Sequence, residues 1–341
     1  MNTATAVQFY DYHPGVASLR EEVLKGLTAR PKSIPPKFFY DAQGSRLFDA
    51  ICELPEYYPT RAEMEILQRQ AGTIAALVGP ECLLIELGSG ASRKVRLLLD
   101  RLRPSQYLGV DISKEFLLQS TRQLAADYPW LEVHAACADF SQTLDLSYCP
   151  PSAEKLAFFP GSSIGNFHPH EAVHFLEQLA ANLRPHGALL IGVDLKKDLR
   201  LLQAAYNDAQ GVTAEFNLNL LRRIQLELDT NLDPARFAHQ AFYNESQGRI
   251  EMYLLSRERQ WIRIEDRFIE FEAGETIHTE NSYKYAIEEF QALARQAGYR
   301  PEYVWTDAQR LFSVHYLHLE ERRSDTGVVD LCGTEKPHCI Q

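Results

Sequence analysis

From Thr60 to about Lys196 short apolar runs alternate with amphipathic stretches, and no other feature limits the possible folds as much. "CLLIELGSG" (82–90), "QYLGVDIS" (106–113), "LEVHAACADF" (131–140), "EKLAFFPGSSIGNF" (154–167) and "GALLIGVDL" (187–195) read as strands. "SRKVRLLLDRL", "KEFLLQSTRQLAADYP" and "HEAVHFLEQLAANL" between them carry helical spacing. Strands joined in this way through helices must lie parallel, because a parallel pair needs a long crossover, so an α/β fold with a doubly wound sheet is expected. In front of it, Thr60-Arg-Ala-Glu63 fits a capping box, opening a helix that Gly79-Pro80 should stop.

The pattern then changes. "DLRLLQAAYNDAQGVTAEFNLNLLRRIQLEL" reads as two helical stretches, and "FAHQAFYNESQGRIEMYLLSR" as a hairpin turning at Ser246-Gln247-Gly248. Two more strands are expected in "QWIRIEDRFIEFEAGETIHTEN". Since "AIEEFQALARQAGY" and "RLFSVHYLHLE" resume a helix and a strand, residues 197–285 form an insertion before the last strands of the sheet. From Glu321 onward periodicity is lost and a mobile tail is expected.

The 341 residues suit one large domain, or that domain with a smaller companion. A formal charge of −11, with no long Lys/Arg run, argues against nucleic acid as partner. No stretch approaches the roughly 18 apolar residues of a membrane span. "MNTATAVQFYDYHPG" lacks the basic and apolar regions of a secretory signal, so the cytoplasm is the expected location. Six cysteines (52, 82, 137, 149, 332 and 339) include no C-x-x-C pair and read as reduced thiols.

"IELGSGASRK" places Gly88 and Gly90 on the turn after the first strand, where missing side chains let backbone N–H groups approach a ligand. Arg93 stands where a dinucleotide fingerprint wants its third glycine, which disfavours a diphosphate ligand and with it a nicotinamide-dependent oxidoreductase. Asp111 ends the second strand about 20 residues beyond Gly88, the interval at which a carboxylate accepts ribose hydroxyls. Asp139 and Phe140 after the third strand offer an acceptor for an adenine amino group and an apolar face for its ring, and Glu86 adds an acid near the loop. A ribose-binding acid without a diphosphate cradle points to S-adenosylmethionine. The histidines 168, 170 and 174 have no carboxylate or cysteine at a matching spacing, and His315 and His318 face opposite sides of a strand, so no metal is expected.

With these residues placed, the chain resembles the histidine-specific α-N-methyltransferases of ergothioneine biosynthesis. The likeness spans about residues 15–320 and rests on "PPKFFYDAQGSRLFDAICELPEYYPTRAE", "ELGSGASRK", "GSSIGNF", "AYNDAQGVTAEFN", "RIEMYL" and "ETIHTENSYKY". It implies a Rossmann-like class I methyltransferase sheet at 60–196 and 286–320, and a smaller α+β substrate-binding domain made of 1–59 and 197–285. By position it assigns Tyr40, Gly88, Lys94, Asp111, Asp139 and Phe140 to S-adenosylmethionine. It gives the substrate carboxylate to Asn166 and Tyr206, and sets the amine near the Gly161 backbone and Tyr40. The imidazole is expected among Tyr57, Glu280 and Ser282, with Met252 lining the pocket. Glu280 and Ser282, two apart on a strand, share a face, so one can accept from a ring nitrogen while the other serves the second. Tyr58 is read as packing.

The resemblance thus implies three methyl transfers to the α-amine of L-histidine, giving hercynine and S-adenosylhomocysteine, by a monomer acting on a small molecule with no nucleic acid or membrane partner. Two alternatives stay open: a methyltransferase of the same family acting on a tryptophan derivative or arginine, and a non-catalytic S-adenosylmethionine-binding module.

Overall fold

The computed structural model describes residues 7–12, 16–139, 154–185 and 187–319. Phe140, Cys149, Cys332, Cys339 and the tail read at 321–341 lie outside the described residues. The chain begins with β1 (Gln8–Asp11), α1 (Val16–Thr28), β2 (Lys32–Ser33), α2 (Ala42–Cys52) and the long α3 (Tyr58–Val78). The alternating region follows: β3 (Leu83–Leu87), α4 (Arg93–Leu102), β4 (Gln106–Asp111), α5 (Lys114–Asp127), β5 (Glu132–Cys137), β6 (Lys155–Phe159), α6 (Pro169–Leu183) and β7 (Gly187–Asp194). Next come α7 (Leu199–Tyr206), α8 (Val212–Glu227), β8 (Phe237–Asn244), β9 (Arg249–Ser256), β10 (Gln260–Ile264), β11 (Arg267–Phe271) and β12 (Thr276–Tyr283). The chain closes on α9 (Ile287–Gln296), β13 (Tyr299–Thr306) and β14 (Phe312–Leu319).

Eight strands form one sheet in the order β1-β5-β4-β3-β6-β7-β14-β13. From β1 to β7 neighbouring strands are parallel; β14 and β13 are antiparallel additions. β3, β6 and β7 are buried along their whole length, as strands covered on both faces must be. One face packs on α6 and α9 through Phe175, Leu176, Phe290 and Leu293, the other on α3, α4 and α5 through Ile66, Leu98 and Leu124. Strand order reverses between β3 and β6, and such a switch point opens a crevice at the carboxyl ends of the strands.

A second sheet, β2-β12-β9-β8, and the ribbon β10-β11 belong to another core. That core joins Leu19, Phe39, Ile51 and Tyr57 with Leu202, Phe216, Leu254 and Ile277. β8 and β9 make the expected hairpin, with Gly248 in the left-handed region (φ 66°) at its turn. Among the described residues four strands were not anticipated: β1, β2, β13, and one of β10, β11 and β12, which stand where two were expected. Residues 8–11, assigned by sequence to the substrate lobe, pair with β5 at the edge of the large sheet. β13 contains Pro301, which reads as a breaker; at the opposite edge, next to a bulge between Pro301 and Tyr303, it disturbs no inner ladder.

The capping box at Thr60 is corrected. α3 starts earlier, with Tyr57 at the cap position and Pro59 in the first turn, so Thr60 and Glu63 lie inside the helix. Glu63 faces inward and is fully buried.

Candidate functional site

Three turns meet at the switch point. After β3 the chain passes through Gly88 (φ 68°) and Gly90 (φ 48°), left-handed conformations that glycine adopts without strain. The Gly90 N–H donates to Asp111 Oδ2 at 2.9 Å, and the Ser113 N–H donates to Asp111 Oδ1 at 2.9 Å. The carboxylate at the end of β4 therefore pins the glycine turn while keeping lone pairs for a ligand. Burial pushes this carboxyl up, opposed by the backbone N–H groups of Ser113, Gly90 and Ile112.

Tyr40, Glu86, Gly88, Lys94 and Asp111 line one cavity with Ser89, whose buried hydroxyl finds no hydrogen-bond partner among the described residues. A Cβ added at Gly90 would meet nothing within 4 Å. An open backbone approach, an orphaned hydroxyl and a carboxylate at a strand end are what an adenosyl group with vicinal ribose hydroxyls requires, so the residues fit S-adenosylmethionine. Asp139 sits 3.4 Å from the Lys37 ammonium, in an adjoining cavity that shares Tyr40, Ile112 and Asn166 with the first. Glu86 turns away to accept the Tyr107 hydroxyl at 2.6 Å, and burial pushes it up to about 8.

Lys94 reaches the Glu63 carboxylate at 2.6 Å. Burial pushes the Lys94 ammonium down, but Glu63 more than offsets it and holds the group above its ordinary value. Glu63 also accepts the Gly161 N–H, at 2.9 and 3.2 Å. With that donor engaged, the Gly161 carbonyl is the backbone group left to meet an amine. Gly161 itself is left-handed (φ 78°) on the turn after β6, which leads into Ser163–Asn166.

A second cavity adjoins the first. The structure brings Tyr40, Tyr57, Gly161, Asn166, Tyr206, Met252, Glu280 and Ser282 together in its wall, from six separate stretches of chain. Met252 on β9 stands opposite Glu280 on β12, just past a bulge between His278 and Glu280. Burial pushes Glu280 up to about 7, opposed by Lys284. Burial likewise raises the Tyr40 and Tyr57 phenols well above their ordinary range, so both keep their protons. Tyr40, Ser163 and Asn166 line all three cavities and mark the seam between them.

Sequence reasoning missed a buried charge cluster behind this wall. Tyr58, read as packing, is buried in the smaller lobe's core and in addition donates to both Asp194 oxygens at 2.9 and 2.8 Å. Lys197 also pairs with Asp194, and Lys284 reaches it at 2.7 Å. Lys284 further donates to Ser282 Oγ at 2.7 Å and to the Tyr206 hydroxyl at 3.1 Å, while Tyr206 donates to Ser282 Oγ at 2.7 Å. Burial pushes the Asp194 carboxyl up, but the two lysines outweigh it and leave the group below its usual value. The available signal was the charge in "GVDLKK" and "NSYKY", since a buried lysine beside aromatic strand residues requires an acid.

A family described as histidine-specific, S-adenosylmethionine-dependent methyltransferases matches residues 19–319. The chain is 43% identical over 296 residues to a histidine N-alpha-methyltransferase of Mycolicibacterium smegmatis, covering 85% of this chain and 91% of that protein. Another protein of that name, from Mycobacterium tuberculosis, is 41% identical over 299 residues, covering 86% and 92%. An ergothioneine biosynthesis protein 1 of Neurospora crassa is 33% identical over 307 residues, covering 84% of this chain and 33% of that protein.

Proposed function

The chain belongs to the histidine-specific, S-adenosylmethionine-dependent methyltransferases, and we infer that it carries L-histidine through three Nα-methylations to hercynine, the first step of ergothioneine biosynthesis. One observation carries this reading: Glu280 and Ser282, an acceptor and a hydroxyl two residues apart on β12, share one buried cavity with Asn166 and Gly161. That set matches an imidazole at one end and an amino-acid backbone at the other.

S-adenosylmethionine, when bound, supplies an electrophilic methyl group on a sulfonium. Tyr40, Gly88, Lys94, Asp111 and Asp139 would hold it. In-line displacement at nitrogen leaves the protein mainly the task of alignment. The Asn166 amide and the Tyr206 hydroxyl donate to the substrate carboxylate, the Gly161 carbonyl accepts from the amine, and Glu280 accepts the imidazole N–H. The amine must lose a proton before each transfer. Because its phenol stays protonated, Tyr40 relays that proton toward water by accepting it and releasing its own. After the third transfer nitrogen has neither proton nor lone pair, and the reaction stops. Tyr40, Phe48 and Tyr57 face the growing cation with aromatic rings, which tolerate charge without binding it as tightly as a carboxylate.

The sheet with 60–196 and 286–320 acts as the cofactor-binding domain, and most of 1–59 with 197–285 as the substrate-binding domain. The formal charge of −11 supports a small-molecule partner in place of nucleic acid. Among the described residues no helix is long and apolar enough to cross a membrane. The family likeness supports a monomer, and an N-terminus without a basic or apolar signal region supports the cytoplasm.

The test is mass spectrometry of purified protein incubated with S-adenosylmethionine and each of the twenty amino acids separately. Histidine gaining three methyl groups, with the other amino acids unchanged, is expected. Methylation of another amino acid with histidine untouched would overturn the imidazole assignment, and a product that stops at one methyl group would overturn the third transfer.

A further inference from the structure

Lys284 is absent from the wall of the amino-acid cavity, and its side chain is 1% exposed. It stands behind Ser282. An ammonium has three donors and no acceptor, and here each donor has a target: Asp194 Oδ2 at 2.7 Å, Ser282 Oγ at 2.7 Å and the Tyr206 hydroxyl at 3.1 Å. Tyr206 adds its own donation to Ser282 Oγ at 2.7 Å. A serine hydroxyl offers two lone pairs and one proton. Lys284 and Tyr206 fill the lone pairs, so the proton is what Ser282 has left to offer the cavity.

We propose that Lys284 is a specificity-positioning residue: by occupying a lone pair of Ser282 it commits that hydroxyl to donate, so the pocket selects a ring that presents an acceptor nitrogen as well as an N–H. The proposal rests on the reading that Glu280 and Ser282 hold the imidazole. A neutral imidazole has one N–H and one bare nitrogen, which complements an acceptor at Glu280 and a forced donor at Ser282. When Tyr206 turns its hydroxyl to donate to the substrate carboxylate, one lone pair of Ser282 opens, and the Lys284 ammonium on the other polarises the hydroxyl toward donating and disfavours a second N–H there. Asp194 serves this arrangement by holding the ammonium charged: burial pushes Lys284 toward neutrality, and Asp194 with Tyr206 reverses that. Without Lys284 the serine hydroxyl could turn and accept an N–H equally well.

Calorimetry in the presence of S-adenosylhomocysteine can compare L-histidine with the two pyrrolylalanine isomers, which keep a ring N–H but carry C–H in place of the bare nitrogen. The wild type should prefer histidine by about tenfold or more, the scale of one hydrogen bond. Lys284→Met should bring the preference to within about threefold, Ser282→Ala should do the same, and the double variant should lose nothing further. The preference is a ratio within one protein sample, so a general loss of stability does not shift it. If Lys284→Met does not fold, Asp194→Asn/Lys197→Met/Lys284→Met removes the buried acid together with both of its lysine partners and permits the same comparison. A full preference in the lysine variant, with loss in Ser282→Ala, would overturn the role of Lys284. A wild type without preference would instead overturn the Glu280–Ser282 reading beneath it.

Discussion

Replacing Glu63 by alanine separates a buried structural acid from a helix cap. The side chain is 0% exposed, accepts the Gly161 N–H at 2.9 and 3.2 Å and pairs with Lys94 at 2.6 Å. It is also wedged against β7, where a Cβ placed on Gly192 would come within 2.0 Å of Glu63 Oε1. Removing one member of a buried pair leaves the other charge uncompensated and is destabilising by roughly 3–5 kcal/mol. A capping residue at a helix start contributes only about 1 kcal/mol. Glu63→Ala should therefore lower the unfolding free energy by about 4 kcal/mol in urea titrations. Tryptophan fluorescence and far-UV circular dichroism must report coincident transitions, so that a single free energy is defined. Lys94→Met introduced into the alanine variant removes the stranded ammonium and should restore part of the loss. A change of about 1 kcal/mol or less for Glu63→Ala would refute the buried-pair argument.

Two further outcomes follow from the cofactor side. Glu86 has a folded-state value near 8 against an ordinary 4.5, so the folded protein binds the extra proton between those limits and loses stability as pH rises through them. Glu86→Gln lacks that proton, and its melting temperature relative to wild type should climb between about pH 5 and pH 8; a difference flat with pH would refute the assignment. Gly90→Ala strains a left-handed residue by about 1–2 kcal/mol and meets no protein atom, so the chain should fold while binding S-adenosylhomocysteine at least about tenfold more weakly by calorimetry. Unchanged affinity would mean that the ligand does not pass over that turn.

What could be read from sequence was chemistry carried by local order. Gly88 and Asp111 stand at the ends of consecutive strands, and a parallel sheet brings those ends to one edge whatever else the chain does. Glu63 was misread because Thr-x-x-Glu at a helix start looks the same whether the acid faces water or the core. Only the packing of α3 against β7 distinguishes the two. Lys284 was missed for a related reason: Thr279–Tyr283 is buried at every position, so the alternation that would separate an inner from an outer face is absent. Asp194 closes an apolar run that alone says strand, and its partners come from α3, Lys197 and the end of β12. Tyr206 ends α7 while Glu280 and Ser282 lie on β12, and only the resemblance placed all three in one pocket.

The insertion of the smaller lobe before the final strands also has a bearing on biosynthesis. β7 is apolar up to its final residue, Asp194, and pairs with β6 on one side and β14 on the other. While the chain emerges from the ribosome, β7 must wait for residues 197–311 before its second neighbour arrives. During that interval it is a largely apolar sheet edge lacking its second neighbour, the kind that templates aggregation. A product terminated between Asp194 and Phe312 would keep the glycine turn and Asp111 yet leave that edge permanently open, so such fragments belong in the insoluble fraction.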